Sequence, residues 1–199
     1  MRSFLKLNLI ISILILSTNV FCQIPGEQVQ IYSAVLAAPE DMREGASVLG
    51  YNSEGELVML KEGTNDLICL ADNPEQNGFN VACYQKELEP FMTRGRGLRI
   101  EGKTREEIFK IRENEVQSGD LKMPASGATL SIYFGPEEGY NKETGEVTNA
   151  SYRYVVYVPY STAESTGLSL KPEFPGGPWL MDPGTHRAHI MITPLPKDQ

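Results

Sequence analysis

The chain has 199 residues and carries more acid than base, with 26 Asp and Glu against 18 Lys and Arg. Binding to nucleic acid or to an anionic membrane surface requires a basic face, so this composition disfavours both partners. The length suits one domain with a substantial apolar core.

Residues 1–22 have the three parts of a secretory signal peptide. Arg2 and Lys6 form a charged start, and the apolar run of about ten residues that follows is too short to span a hydrocarbon layer of roughly 30 Å. Cys22 offers a modest side chain before the cut, whereas Phe21 is bulkier than a lipoprotein signal requires. We therefore predict a secreted or periplasmic protein without a transmembrane segment after cleavage, lipid attachment at Cys22 being the less favoured alternative.

Cleavage after Cys22 leaves residues 23–199, for which we predict a single α+β domain. The cut removes two basic residues and no acidic ones, so the formal charge of the remainder is −10. Cys69 and Cys83 remain as an even pair in an oxidising compartment, which indicates a disulfide. A redox-active or metal-binding pair is the alternative, although the spacing lacks the CxxC form.

The first part of the mature chain combines a helix with short strands. Gln28 to Ala38 has apolar residues at helical spacing, and Pro39 limits this helix. From Ser47 the pattern changes to short apolar runs bounded by turn residues, which predicts a β-meander. Its four strands are SVLGYN (47–52), LVMLK (57–61), DLICLA (66–71) and FNVACY (79–84).

The last two of these strands form a hairpin whose register can be derived. Pairing Asn73 with Phe79 places Cys69 directly opposite Cys83. Directly paired antiparallel residues have Cα atoms about 4.5 to 5.5 Å apart, within the range that a disulfide accepts. The geometry and the cysteine count therefore agree.

The second part of the chain is predicted to begin with a pair of helices within residues 86–118 and to continue with strands. The strands TLSIYFG and YRYVVYVPY are joined by a polar loop, and a last strand, RAHIMIT, follows a loop-rich tail. No βαβ alternation is visible. We therefore predict an α+β fold with a mainly antiparallel sheet, a central helical pair and an N-terminal helix.

The stretch GLRIEGKT, residues 97–104, fits the written pattern of a phosphate-binding P-loop. Its context argues against nucleotide binding, because the approach is helical rather than a strand and bulky aliphatic residues stand where a phosphate nest favours small ones. We predict instead that Gly102 ends one helix, and that Thr104 and Glu107 begin the next with a capping box.

A basic cluster surrounds this stretch: Arg94, Arg96, Arg99, Lys103 and Arg105. It is compatible with binding of a small anion or an acidic partner. The alternative is a solvated helix face whose cations pair with neighbouring carboxylates.

His186, His189 and Asp182 form a candidate metal site, since imidazole and carboxylate groups are common ligands. Strand alternation places His189 on the opposite face from Ile190, and His186 has a different parity from His189, so joint chelation would need a bend. Separate surface or hydrogen-bonded histidines are the alternative, and we expect no cofactor.

Ser161, Thr162 and Glu164 follow an aromatic strand, and Trp179 lies in a segment rich in Pro and Gly. We treat these four residues as ligand-contact candidates, because functional groups favour loops held on a sheet. A Ser–His pairing is the catalytic alternative, but no GxSxG or HExxH motif supports it, and hydroxyl runs commonly satisfy backbone groups at turns and helix starts. We predict no catalytic residue.

Aromatic residues in the same region could line a stacking surface for a sugar or a peptide: Tyr152, Tyr154, Tyr157, Tyr160 and Trp179. Tyr152 and Tyr154 share a strand face, whereas Tyr157 lies on the other, so a single platform is not specified. Packing in the core or on the sheet surface is the alternative.

The strings GTNDLICLADNP, VPYSTAESTG and PWLMDPGTHRAHIMI resemble those of uncharacterised exported bacterial proteins, over most of the mature chain. The resemblance implies a bacterial secreted or periplasmic setting and no particular activity. We expect a non-enzymatic binding or envelope-associated protein whose partner is a small molecule, a glycan or another protein. The alternative is a hydrolase that uses the Ser-, His- and Asp-bearing C-terminal loops, with or without a metal.

Overall fold

A computed structural model describes residues 24–124 and 127–195. Within these residues the strands are β1 (Ser47–Tyr51), β2 (Leu57–Lys61), β3 (Leu67–Leu70), β4 (Phe79–Gln85), β5 (Thr129–Gly135), β6 (Ser151–Tyr157), β7 (Trp179–Met181) and β8 (His189–Ile192). The α-helices are α1 (Glu27–Ala34), α2 (Glu89–Ile100), α3 (Arg105–Ser118) and α4 (Ala163–Thr166). The predicted signal peptide and Cys22 lie outside the described residues.

The strands form one mostly antiparallel sheet in the order β2-β1-β3-β4-β5-β6-β8-β7. This arrangement confirms the predicted α+β class, with its N-terminal helix and its central helical pair. No helix within the described ranges combines the length and the apolar character that crossing a bilayer requires.

The first four strands all form, but their order differs from a simple meander. β1 lies between β2 and β3 and pairs with β3 in parallel. The connection from β2 to β3 therefore crosses the start of β1, where Thr64 and Asn65 donate backbone hydrogen bonds to the carbonyl of Gly45. A Cβ atom at Gly63 would lie 2.3 Å from the backbone nitrogen of Ser47, so this crossing requires glycine.

Each face of the sheet has its own apolar core. The α1 face packs against α1 and the short 3₁₀ turn that follows it, with Val48, Phe79 and Val81 among its buried residues. The opposite face, here called the α2–α3 face, packs Tyr84 and Phe91 into a second core. The sheet therefore separates two chemically distinct sides of the molecule.

The disulfide and the hairpin register are confirmed. β3 pairs with β4 so that Cys69 lies directly opposite Cys83, and the two cysteines are bonded. Both are buried in the core of the α1 face, where Cys83 Sγ lies 3.4 Å from the carbonyl oxygen of Ala34. The disulfide thus joins two neighbouring strands beneath α1.

The helix boundary at GLRIEGKT is also confirmed. Gly102 has a left-handed φ of 76° just after α2. Thr104 caps α3, because its hydroxyl accepts from the backbone N–H of Glu107 while the Glu107 carboxylate accepts from the N–H of Thr104. These residues begin a helix with a capping box, as predicted.

Candidate functional site

The hydroxyl-rich run Ser161 to Thr166 builds a helix start. Thr162 caps α4, and its hydroxyl accepts from the backbone N–H of Ser165, whose own hydroxyl accepts from the N–H of Thr162. Glu164 is exposed in the first turn. These side chains thus satisfy backbone groups at the start of the helix.

The loops that carry Ser161 and the histidines lie side by side through their backbones. Tyr160 donates to the carbonyl of Thr185 at 2.8 Å, and Gly184 donates to the carbonyl of Ser161 at 2.8 Å. Among the described residues, however, no hydrogen bond joins a hydroxyl of this run to either histidine.

His186 is fully buried and bonds to a carboxylate of α3. Its Nδ1 lies 2.5 Å from Glu113 Oε2, and its backbone N–H donates to the same oxygen at 2.9 Å. Burial lowers the pKa of His186, although the bond to Glu113 opposes this effect. Burial opposes ionisation of Glu113, yet the bonds from His186 hold the pKa of this carboxyl below its usual range. The pair therefore consists of a neutral imidazole and a carboxylate, and catalysis would require His186 to become accessible.

His189 and Asp182 have different partners from His186. His189 Nδ1 donates to the carbonyl of Arg187 at 2.7 Å, and Asp182 binds the Arg187 guanidinium at 2.7 Å. Residues 24–124 and 127–195 contain no group of three or more His, Cys, Asp or Glu side chains placed to hold one metal ion. The two histidines thus have separate hydrogen-bond partners.

Arg112 is a second buried charge on the α2–α3 face. Its Nη1 donates to the carbonyl of Phe91 at 3.2 Å, and its guanidinium lies 3.8 Å from the centre of the Phe91 ring. A Cβ atom at Gly95 of α2 would lie 2.8 Å from that Nη1, so the absence of a side chain there makes room for the guanidinium. Burial lowers the pKa of Arg112 to about 10.

Two members of the basic cluster are paired within the chain. Arg94 binds Glu115 at 2.7 Å and Glu101 at 3.4 Å, and Arg96 binds Glu89 at 2.6 Å. These contacts match the solvated, ion-paired helix face. Arg99, Lys103 and Arg105 are exposed.

Trp179 belongs to a strand and not to the loop that the sequence suggested. It is the first residue of β7 and pairs with Met191 of β8, where its side chain is partly buried. The loop rich in Pro and Gly thus ends at Pro178, one residue before β7 begins.

Three tyrosines on the α1 face form a stack, here called the tyrosine ladder: Tyr133, Tyr152 and Tyr154. The register of β4, β5 and β6 pairs Val81 with Tyr133 and Tyr133 with Tyr152, which places both tyrosines on the side of α1. The ring centroids of Tyr133 and Tyr152 are 4.5 Å apart, and those of Tyr152 and Tyr154 are 5.9 Å apart with nearly parallel planes. Tyr154, at the open end, is 39% exposed.

The ladder borders a cleft of about 460 Å³, here called the tyrosine cleft. Its lining residues are Tyr32, Leu36, Tyr133, Glu146, Val147, Thr148 and Tyr152. Tyr32 leaves half of its surface, 52%, exposed. Glu146 is the one charged side chain of this lining. Aromatic walls with a few polar groups are typical of sites for small organic ligands.

The loop between β5 and β6 positions the polar side of the cleft. Tyr140 anchors it, because its ring packs 4.6 Å from that of Phe79 and its hydroxyl lies 3.2 Å from Ser33 Oγ. Gly145 has a φ of 80°, and a Cβ atom there would lie 2.7 Å from the Tyr32 ring. The turn therefore needs glycine both for its backbone and for contact with Tyr32.

Two phenol groups of the ladder, those of Tyr133 and Tyr154, are held in the neutral form near pH 7. Burial raises the pKa of Tyr133, and the neighbouring Tyr152 adds to this effect. Burial also raises the pKa of Tyr154. The Tyr152 hydroxyl donates to the carbonyl of Leu36 at 3.1 Å, which ties the ladder to the turn after α1. The ladder therefore offers apolar ring surface together with hydroxyl groups.

The sequence predicts Tyr152 and Tyr154 as candidates, but not Tyr32, Tyr133 or Glu146. The signal for Tyr133 is the register of the β5–β6 hairpin, which decides which side chain stacks on Tyr152. No local signal brings α1 against the loop that carries Glu146.

No family model, curated protein or solved structure matches this chain.

Proposed function

We propose that this protein is a non-enzymatic binding domain that acts outside the cytoplasm and holds a saccharide in the tyrosine cleft. The observation that carries the proposal is the tyrosine ladder, partly exposed beside a cleft that it helps to line. Aromatic surface that stays exposed next to a concave site indicates a ligand surface rather than a core.

The chemistry of the cleft matches a sugar ring. A pyranose has an apolar C–H face, which packs on aromatic rings, and hydroxyls, which need donors and acceptors at its edge. Tyr32 and the ladder supply the rings, while Thr148 and Glu146 supply the polar edge. No Lys, Arg or His belongs to the lining that the structure describes, and the adjoining Arg43 donates to the backbone carbonyls of Ala38 and Leu36.

The setting supports the proposal. The buried disulfide suits an oxidising compartment, which agrees with the export predicted from the first residues. Saccharides are abundant at bacterial surfaces and outside cells, so a glycan partner is consistent with an exported domain.

Isothermal titration of the exported protein with neutral oligosaccharides, such as cellotetraose, tests the proposal. We expect saturable binding that Tyr152→Ala weakens by about tenfold, since removing a ring contact costs about 1.4 kcal/mol. Tyr160→Ala is the control, because Tyr160 is an exposed tyrosine, at 43%, that lies outside the cleft. Absence of binding, or equal loss in both variants, contradicts the proposal.

A further inference from the structure

We infer that the saccharide carries a protonated amino group and that Glu146 recognises it. This inference rests on the proposed function and adds the ligand class: an amino sugar rather than a neutral or acetylated one.

Glu146 presents a carboxylate without a cation of its own. No Lys, Arg or His nitrogen of the described residues lies within ion-pair distance of it. Glu146 is exposed beside the cleft, whereas Glu113 and Glu115 on the α2–α3 face are paired with His186 and Arg94. The carboxylate in the cleft therefore keeps its charge available for a ligand.

The backbone holds Glu146 at a fixed place on the rim. Its carbonyl accepts from the N–H of Asn141 at 2.9 Å, and its N–H donates to the Thr144 hydroxyl at 3.3 Å. The next residue, Val147, forms a bridge with Tyr140, whose ring is buried. These bonds fix the backbone position of Glu146, so less backbone freedom is lost on binding than on a mobile loop.

The walls and the long-range field favour a cation as well. Tyrosine rings attract an ammonium group placed over their faces, and the carboxylate adds a charge-assisted hydrogen bond. The formal charge of −10 predicted after cleavage also attracts cations. An amine thus gains from both kinds of group in the cleft, whereas a hydroxyl or an acetamide gains from only one.

The space favours an oligosaccharide. The cleft is wide and open, with a volume of about 460 Å³, and the ladder continues past it to the partly exposed Tyr154. A chain of sugar units would therefore place one amine beside Glu146 and later units along the ladder.

Three tetrasaccharides with the same β-1,4 backbone test the inference: the glucosamine tetramer, its fully N-acetylated form and cellotetraose. We expect isothermal titration near pH 6 to show about tenfold tighter binding of the glucosamine tetramer, and added salt to weaken only that complex. Glu146→Gln should abolish the preference and leave the affinity for cellotetraose within about twofold, since only the charge is removed. Glu143→Gln, an exposed carboxylate of the same loop outside the lining, is the matched control and should leave the preference intact.

The outcomes separate the inference from the function on which it rests. Equal affinity for the three sugars, or a preference that survives Glu146→Gln, overturns the amine inference. Neutral binding that Tyr152→Ala still weakens would then keep the saccharide proposal. Failure of all three sugars to bind overturns both.

Discussion

The two faces of the sheet use their polar side chains in opposite ways. On the α2–α3 face, Glu113 is engaged with His186, and the Arg112 guanidinium lies over the ring of Phe91. On the α1 face, Glu146 and the exposed part of Tyr32 border a cleft. Charged or aromatic residues that are already paired stabilise the fold, whereas those left open beside a concavity are available to a ligand. Substitutions on each face should therefore separate the two roles.

Loss of the disulfide should have the largest effect and should act on stability alone. Replacing both Cys69 and Cys83 with Ala is expected to lower the free energy of unfolding by about 3 kcal/mol, since the loop closed has about 15 residues. Urea unfolding measures this change. Reductant should reproduce it in the original chain and do nothing to the double variant. Alkylation of two thiols in the native protein without reductant would contradict the prediction.

Glu113→Ala tests the internal role of the α2–α3 face. The change removes both hydrogen bonds to His186, and we expect a loss of about 2 kcal/mol in unfolding free energy. Saccharide affinity should stay the same, because Glu113 lies outside the cleft. Glu106→Ala, at an exposed carboxylate of the same helix, is the control and should leave the unfolding free energy nearly unchanged. An affinity change in Glu113→Ala would break the comparison.

The two faces should also respond oppositely to acid. Burial raises the pKa of Asp72, whose carboxyl interacts electrostatically with Glu137 and Lys142 of the β5–β6 loop, to about 6. A raised carboxyl pKa means that folding favours the protonated form, so Asp72 adds stability as the pH falls from about 6 to about 4. Burial lowers the pKa of His186 and His189, which means that folding favours their neutral form. The folded protein therefore loses stability as the pH falls below about 6.5.

Asp72→Asn isolates the first of these effects. We expect the stability of the original chain relative to this variant to rise by roughly 2 kcal/mol between pH 7 and pH 4, because the variant cannot take up the proton. Denaturant unfolding at several pH values measures the difference. A difference that stays flat, or that falls with acid, would show that Asp72 is not held in an unfavourable ionised state.

The smallest expected effect concerns the helix start at GLRIEGKT. Thr104→Ala should cost about 1 kcal/mol of stability, because α3 loses its N-terminal cap. Lys103→Ala should change neither stability nor nucleotide binding, which we expect to be absent in both proteins. A nucleotide affinity that Lys103→Ala removes would restore the P-loop interpretation.

The sequence predicted local features well because their causes are local. The register of Cys69 and Cys83 follows from strand alternation and loop length, and the cap at Thr104 follows from residues three positions apart. The parallel pairing of β1 with β3 does not follow from such rules. It depends on a close backbone crossing at Gly63, and nothing in the neighbouring letters distinguishes that glycine from one in an ordinary turn.

The cleft was less predictable than the fold for the same reason. Tyr32, Tyr133 and Glu146 come from α1, a central strand and a loop, and only the tertiary fold brings them together. The histidines drew attention as chemical groups, yet the burial of His186 and its bond to Glu113 depend on a helix more than 70 residues away in the sequence. Burial and pairing decide which polar residues remain available, and neither is visible in the sequence.

The most direct test is to map where a sugar binds. Amide chemical shifts of the ¹⁵N-labelled protein, followed during titration with the glucosamine tetramer, locate the contact surface. We predict saturable changes around Tyr32, Gly145 and Thr148, with residues near His186 unaffected. Changes centred on the His186 and Ser161 loops, or no saturable change anywhere, would contradict the assignment of binding to the α1 face.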